Sequence, residues 1–284
     1  MTRSALRRAP ARRRKPDPVR LWTGRLARTR PGLVDDTLAA LRGMYGRPAW
    51  QRVHDPTSEV VLTILSQNSA DINAERAFDA LCDHWPRPAS GPDGAAADAA
   101  ISGADLVTRP GWGGKGIGRT GADWPGVADA PIDELIDVIR PGGLAAQKAP
   151  RIQAVLRRTF TERGDYSLEF LGALPATAAL AWLTAVPGIG RKTASVVLLF
   201  SFGMPLMPVD RHVERVSKRI GLIPAKATAE QAHDYLQSLL ADDSVHEAHV
   251  NLITHGRQTC HAQRPACGRC AIAPRCRYLD PRAP

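Results

Sequence analysis

Apolar residues recur at helical spacing along most of this 284-residue chain. Leu33, Leu38, Leu41 and Met44 predict one amphipathic helix within residues 31–50. His54-Asp55-Pro56-Thr57 then marks a turn, with Thr57 placed to cap the next helix. Val60, Val61, Leu62, Ile64 and Leu65 make that helix strongly apolar. The polar stretch Ser66-Gln67-Asn68-Ser69-Ala70-Asp71 interrupts it, and a helical pattern resumes over residues 74–85. Ile132, Leu135, Ile136 and Ile139 form a further stripe, broken at Pro141-Gly142-Gly143 and restarted from Lys148. Residues 179–184 read as a helix ending at Pro187, and residues 191–201 as its successor. Neither a strand-like alternation nor an internal repeat is present, so the predicted fold class is all-α.

One stretch lacks any period. Residues 87–131 are dominated by Pro, Gly, Ala and Asp, with Trp112 and Trp124 set among Gly113, Gly114, Lys115, Gly116 and Arg119. Such a segment could stack its tryptophans on nucleic-acid bases or pack them back on the body.

Charge is distributed unevenly. The net charge of +10 arises from 38 Lys and Arg against 28 Asp and Glu. Eleven of those cations and one of the acids fall within residues 1–30, so the remaining chain is balanced. A run such as Arg12-Arg13-Arg14-Lys15-Pro16 cannot bury itself, and residues 1–30 are predicted to be a disordered basic tail. The tail could follow a nucleic-acid backbone, remain merely solvated, or act as an organellar transit peptide, although it is Ser-poor and Pro-rich. No apolar run reaches membrane length and no secretory signal follows the basic start. The expected setting is cytoplasmic and nucleoid-associated, with the chain acting as a monomer.

Chemistry concentrates between Val186 and Arg215. Val-Pro-Gly-Ile-Gly-Arg-Lys-Thr-Ala forms a tight glycine turn between two helices, where Gly188 and Gly190 allow close approach of another molecule. The amides that open the second helix point outward at the positive end of its dipole and suit a phosphate; an ordinary helix–turn–helix corner has the same pattern. Lys192 lies in that first turn, where a cation is electrostatically unfavourable. An ammonium so placed and withdrawn from water gives up its proton more readily, which would make it a nucleophile. Asp210 follows an apolar helix and a Pro-bounded loop, and could exchange protons beside it.

Four thiols also cluster, as Cys260-x6-Cys267-x2-Cys270-x5-Cys276. Cysteines so grouped are metal ligands more often than disulfides, and the spacing alone leaves zinc and an iron–sulfur cluster open. Arg264, Arg269, Arg275 and Arg277 lie on or beside this loop and could contact phosphates. Cys82, on an apolar helix, is read as a buried structural thiol.

Val-Pro-Gly-Ile-Gly-Arg-Lys-Thr-Ala-Ser-Val-Val, followed by Val-Asp-Arg-His-Val-Glu-Arg-Val, resembles the helix-hairpin-helix DNA glycosylases, and within them endonuclease III. The resemblance implies two helical lobes with a DNA cleft between them. One lobe of six helices would span residues 49–204; residues 31–48 and 205–278 would form the other. It implies Lys192 as the nucleophile attacking sugar C1′, with Asp210 assisting. Adenine glycosylases of the same group lack this lysine, so a bifunctional glycosylase and abasic-site lyase is implied, acting on damaged bases of the oxidised-pyrimidine kind. Val186, Gly188, Gly190 and Arg191 of the hairpin, with His212, would contact DNA. Relatives insert a Gln from the 66–71 loop. Aligned on Ser66 and Asp71, that place holds Asn68, with Gln67 one residue earlier. Leu144, which local pattern reads as core, becomes a second wedge by resemblance. The cysteine loop, preceded by His255-Gly256-Arg257-Gln258-Thr259, resembles the family's [4Fe–4S] site. Two other readings fit the residues: a monofunctional mismatch or alkylated-base glycosylase, and a non-catalytic DNA-binding protein that uses the cluster as a redox sensor.

Overall fold

The computed structural model describes residues 17–88 and 121–282, and among these every regular element is helical. In chain order the α-helices are α1 (Pro18–Thr29), α2 (Leu33–Tyr45), α3 (Pro56–Leu65), α4 (Asp71–His84), α5 (Trp124–Asp129), α6 (Ile132–Val138), α7 (Ala145–Arg163), α8 (Ala176–Thr184), α9 (Arg191–Phe202), α10 (Arg211–Ile220), α11 (Ala229–Leu239) and α12 (Val245–Gln258). None of the described helices is long and apolar enough to cross a membrane.

Two hydrophobic cores organise these helices. The first gathers Val60, Ile64, Phe78, Leu81, Leu135, Ile152, Leu156 and Leu183 from α3 through α8. The second gathers Leu26, Leu33, Leu41, Val213, Val216, Leu236 and Leu252 from α1, α2 and α10 to α12. Helix α9 belongs to both: Ala194, Val197 and Leu198 face the first core, while Val196, Leu199 and Phe200 face the second. It is buried without a break from Thr193 to Ser201. A helix apolar all round has no solvent face and must be enclosed on every side.

Several expectations need correction. Residues 18–29 are helix rather than disordered tail. Asp17 caps the helix by accepting from the Val19 amide, and Pro18 suits the first turn. Leu26 is buried, the Trp22 indole donates to the Leu222 carbonyl at 2.7 Å, and Arg30 is enclosed with hydrogen bonds to the Ile220 and Arg275 carbonyls. Arg30 is thus spent on packing, whereas Arg20, Arg25 and Arg28 are exposed. The run Arg12 to Pro16 lies outside the described residues. The cap of α3 is Asp55, not Thr57: Asp55 Oδ1 accepts from the Thr57 and Ser58 amides at 3.0 and 2.9 Å. Thr57 instead donates its hydroxyl to the Tyr166 carbonyl. Residues 49–204 hold seven described helices, because the short α5 adds one within the stretch that lacked a period. Trp124, on α5, packs against the first core, whereas Trp112, Gly113, Gly114, Lys115, Gly116 and Arg119 lie outside the described residues.

Lys148 is an unexpected part of the framework. Its side chain is 1% exposed, and Nζ donates to the Leu65 carbonyl at 2.6 Å and the Gly142 carbonyl at 2.7 Å. Those bonds join the end of α3 to the turn before α7. Burial, with Arg151 nearby, lowers this ammonium to about 8.

Two outcomes are expected. Leu26→Ala should destabilise the fold by roughly 2–5 kcal/mol in urea unfolding, whereas a disordered segment would give no change. The second concerns pH. Because the folded chain releases the Lys148 proton before the unfolded chain does, the unfolded state binds more protons between pH about 8 and 10.5. Stability should therefore rise across that window, by up to about 3 kcal/mol, relative to a Lys148→Met variant. Parallel stability–pH curves for the two proteins would contradict this.

Candidate active site

The glycine turn joins α8 to α9 as expected. Gly188 takes φ +85°, a left-handed conformation that L side chains rarely adopt. It also packs against Arg151, and an added Cβ would fall 2.5 Å from Arg151 Cδ. Gly190 needs no such freedom, since its φ of −85° is ordinary extended backbone, and it serves as the N-cap of α9. No side chain among the described residues caps this helix, so its first amides keep their outward donors. Val186 is buried and offers only its main chain. Arg191 turns away from the turn: its guanidinium bonds Glu230 at 3.0 Å and Asp234 at 2.7 Å, both on α11.

A cleft of about 1050 Å³ opens beside this corner, between the two cores. Lys192 and Thr193 of α9, Gly188 of the turn, and Asp210 and His212 at the start of α10 line it. Gln67 and Asn68 of the 66–71 loop line it as well. Six of the site residues expected from sequence therefore meet around one space. Asp210 is the N-cap of α10, with Oδ1 accepting from the His212 and Val213 amides at 2.8 Å each. The cap fixes the carboxylate at the cleft wall and satisfies two donors of the helix start. His212 is held below its usual range, chiefly by burial, which favours the neutral ring. Arg215 lies 3.2 Å from its Nδ1 and also donates to the Gly256 and Cys260 carbonyls.

Leu144 does not line the cleft. It projects beside it, 47% exposed, with φ +54°. Asn68, at the other tip, has φ +51°. Left-handed backbone costs a residue with a Cβ about 1–2 kcal/mol. Both strained tips are tied together through one acceptor, because the Gly142 carbonyl takes hydrogen bonds from Ser69 Oγ at 2.6 Å and from Lys148 Nζ. Pattern reading missed Lys148, Arg151 and the Arg257–Asp71 ion pair, which closes at 2.7 Å on the cleft wall. Partners 186 residues apart leave no local signature.

The four clustered cysteines follow α12, half-buried and unbridged. Cys260 and Cys270 pack against the second core. Burial raises the Cys270 and Cys276 thiols, and the neighbouring thiols add to the effect. Arg219 Nη1 approaches Cys260 Sγ at 3.4 Å, a cation placed to offset thiolate charge. A soft donor set of this kind fits an iron–sulfur cluster or zinc. As the side chains stand, no three His, Cys, Asp or Glu among the described residues converge on one ion. The loop's arginines largely hold the loop itself. Arg269 donates to the Gln258 carbonyl; Arg275 pairs with Asp36 and donates to the Pro31 carbonyl; Arg277 Nε is buried. Arg264 and Arg269 are the exposed members of the four.

Known proteins with this arrangement are consistent with one another. Endonuclease III of Thermotoga maritima is 28% identical across 79% of this chain and 84% of its own length. Endonuclease III of Bacillus subtilis is 35% identical, over 52% of this chain and 63% of its own. A solved structure of a trapped endonuclease III–DNA covalent intermediate superposes with a TM-score of 0.65 at 25% identity, covering 88% of this chain and 96% of that one. Residues 61–242 match the family described as HhH-GPD superfamily base excision DNA repair protein. With that match spanning well over half its length, the chain belongs to the HhH-GPD superfamily of base excision DNA repair proteins.

Proposed function

We propose that this protein is a bifunctional DNA glycosylase and abasic-site lyase that removes damaged bases, of the oxidised-pyrimidine class, from duplex DNA. One observation carries the reading: Lys192 and Asp210, on successive helices, line the same cleft beside a hairpin with outward amides. The similarity to endonuclease III relatives supports it.

The duplex bends over the cleft and the damaged nucleotide swings out of the stack. Amides at the start of α9 hold a phosphate near Lys192. Lys192 Nζ attacks C1′, and the C1′–N bond breaks as the base departs with a proton. Asp210 stabilises positive charge on the opening sugar and moves the proton. The iminium left on Lys192 permits loss of the C2′ proton and elimination of the 3′ phosphate, which nicks the strand. Water then releases the lysine. Leu144 and the amide at the 66–71 tip occupy the space that the extruded nucleotide leaves. Cys260, Cys267, Cys270 and Cys276 would hold a [4Fe–4S] cluster, which supplies a rigid, charged support for the loop against α10.

Borohydride reduction on a duplex with an abasic site should trap a protein–DNA adduct, and Lys192→Ala should abolish it. Asp210→Asn should slow the single-turnover rate by roughly 10²–10⁴-fold with little change in affinity, since Asn also caps a helix. Base release without any strand nick or adduct would overturn the lyase assignment. Aerobically purified protein should be brown, with broad absorption near 400 nm; a colourless sample with one bound zinc per chain would remove the cluster from the proposal.

A further inference from the structure

The 66–71 loop contains two adjacent amides, and their surroundings differ. The Gln67 carboxamide is occupied at both ends. Its Oε1 accepts from Arg151 Nη1 at 2.5 Å, and its Nε2 donates to Thr193 Oγ1 at 3.1 Å and to the Gly188 carbonyl at 3.3 Å. Thr193 is buried at 4% exposure, next to Lys192 in the first turn of α9. Arg151 in turn packs on Gly188 so closely that no side chain would fit there. One amide thus links three separate elements: α7, the hairpin, and the helix start that carries the nucleophile. Asn68 is the opposite case. It is exposed, left-handed, and makes no side-chain hydrogen bond among the described residues.

We infer that Gln67 is a positioning residue that couples the loop to the hairpin and α9, and that Asn68 is the one of the two amides presented to the DNA gap. To enter the duplex, Gln67 would give up three hydrogen bonds and leave the Arg151 guanidinium facing a vacated amide. Asn68 gives up none. The link also gives the tip a route to the chemistry. A shift of the loop on DNA pulls on Thr193 and Gly188, which flank Lys192 in the cleft wall. Insertion at the tip and placement of the amine are thereby one event. This inference rests on the glycosylase reading given above.

The test uses the full chain and a duplex with a tetrahydrofuran abasic analogue opposite a base bearing a thiol tether. Asn68→Cys should form a disulfide cross-link to the tether, while Gln67→Cys and the wild-type chain, with its native cysteines, should not. Cross-linking through position 67 as fast as through position 68 overturns the assignment. So does a lack of cross-linking at either position in variants that still bind the duplex. A second measurement separates positioning from contact. Gln67→Ala should lower the borohydride-trapping rate at saturating protein by about tenfold while Kd stays within about twofold. Arg151→Met should do the same, and the double variant should be no slower than either single one, because both changes break a single link. A raised Kd with an unchanged saturated rate would make Gln67 a DNA-contacting residue and overturn the inference. Failure of the wild-type chain to trap at all would remove the proposed function itself; trapping by the wild type with cross-linking through position 67 removes only this assignment.

Discussion

A helix without a solvent face has to be enclosed from both sides, and α9 imposes that requirement on this protein. Its apolar residues alternate between two cores, so neither core is complete without it. The enclosure ends just before Thr193, at Arg191 and Lys192. The N-terminus of this enclosed helix therefore surfaces at the seam between the cores, and the cleft lies there. Lys192 is held in place by the packing of nine residues behind it, not by a loop. The same seam holds Asp210, because the chain leaves α9, crosses residues 203–209 and caps α10 at the cleft wall.

Electrostatics at that corner are arranged with few formal charges. Two cations in the first turn of α9 oppose its dipole. One is balanced by Glu230 and Asp234, which leaves Lys192 as the cation of the turn that lines the cleft. His212 is kept toward neutrality by burial, so it adds no full charge beside Lys192. On the cleft wall, Arg257 is paired with Asp71. Acceptors shared between elements do the remaining alignment: the Gly142 carbonyl binds Ser69 and Lys148, and the Gly188 carbonyl binds Gln67.

Much of this was legible in the chain, for reasons that can be located. Helices α3, α9 and the turn at Gly188 announced themselves because their signals are local: apolar period, glycine and proline placement, and a cysteine spacing. Lys192 and Asp210 stood out from the hairpin and the loop after it, and Gln67 and Asn68 from a polar break between helices together with a family resemblance. What escaped depended on contacts between distant residues. Arg30 counted as one more charge in a basic tail, yet it bonds carbonyls 190 and 245 residues away. Lys148 read as the polar start of a helix, but is among the most buried side chains. Thr57 looked like a cap until Asp55 took both amides. Arg191 gave no sign of its acidic partners, which lie 39 and 43 residues on, where no pattern links them.

The close packing of Gly188 on Arg151 bears on heredity as well as on structure. Main-chain amides at a helix start cannot be erased by exchanging one side chain for another. Point mutations can damage them only by changing their arrangement. The fragile letter in the hairpin is therefore the glycine, the one place where every substitution adds a Cβ to a left-handed backbone with an arginine stem already against it. Arg191 beside it, held by surface ion pairs to Glu230 and Asp234, has more room to drift.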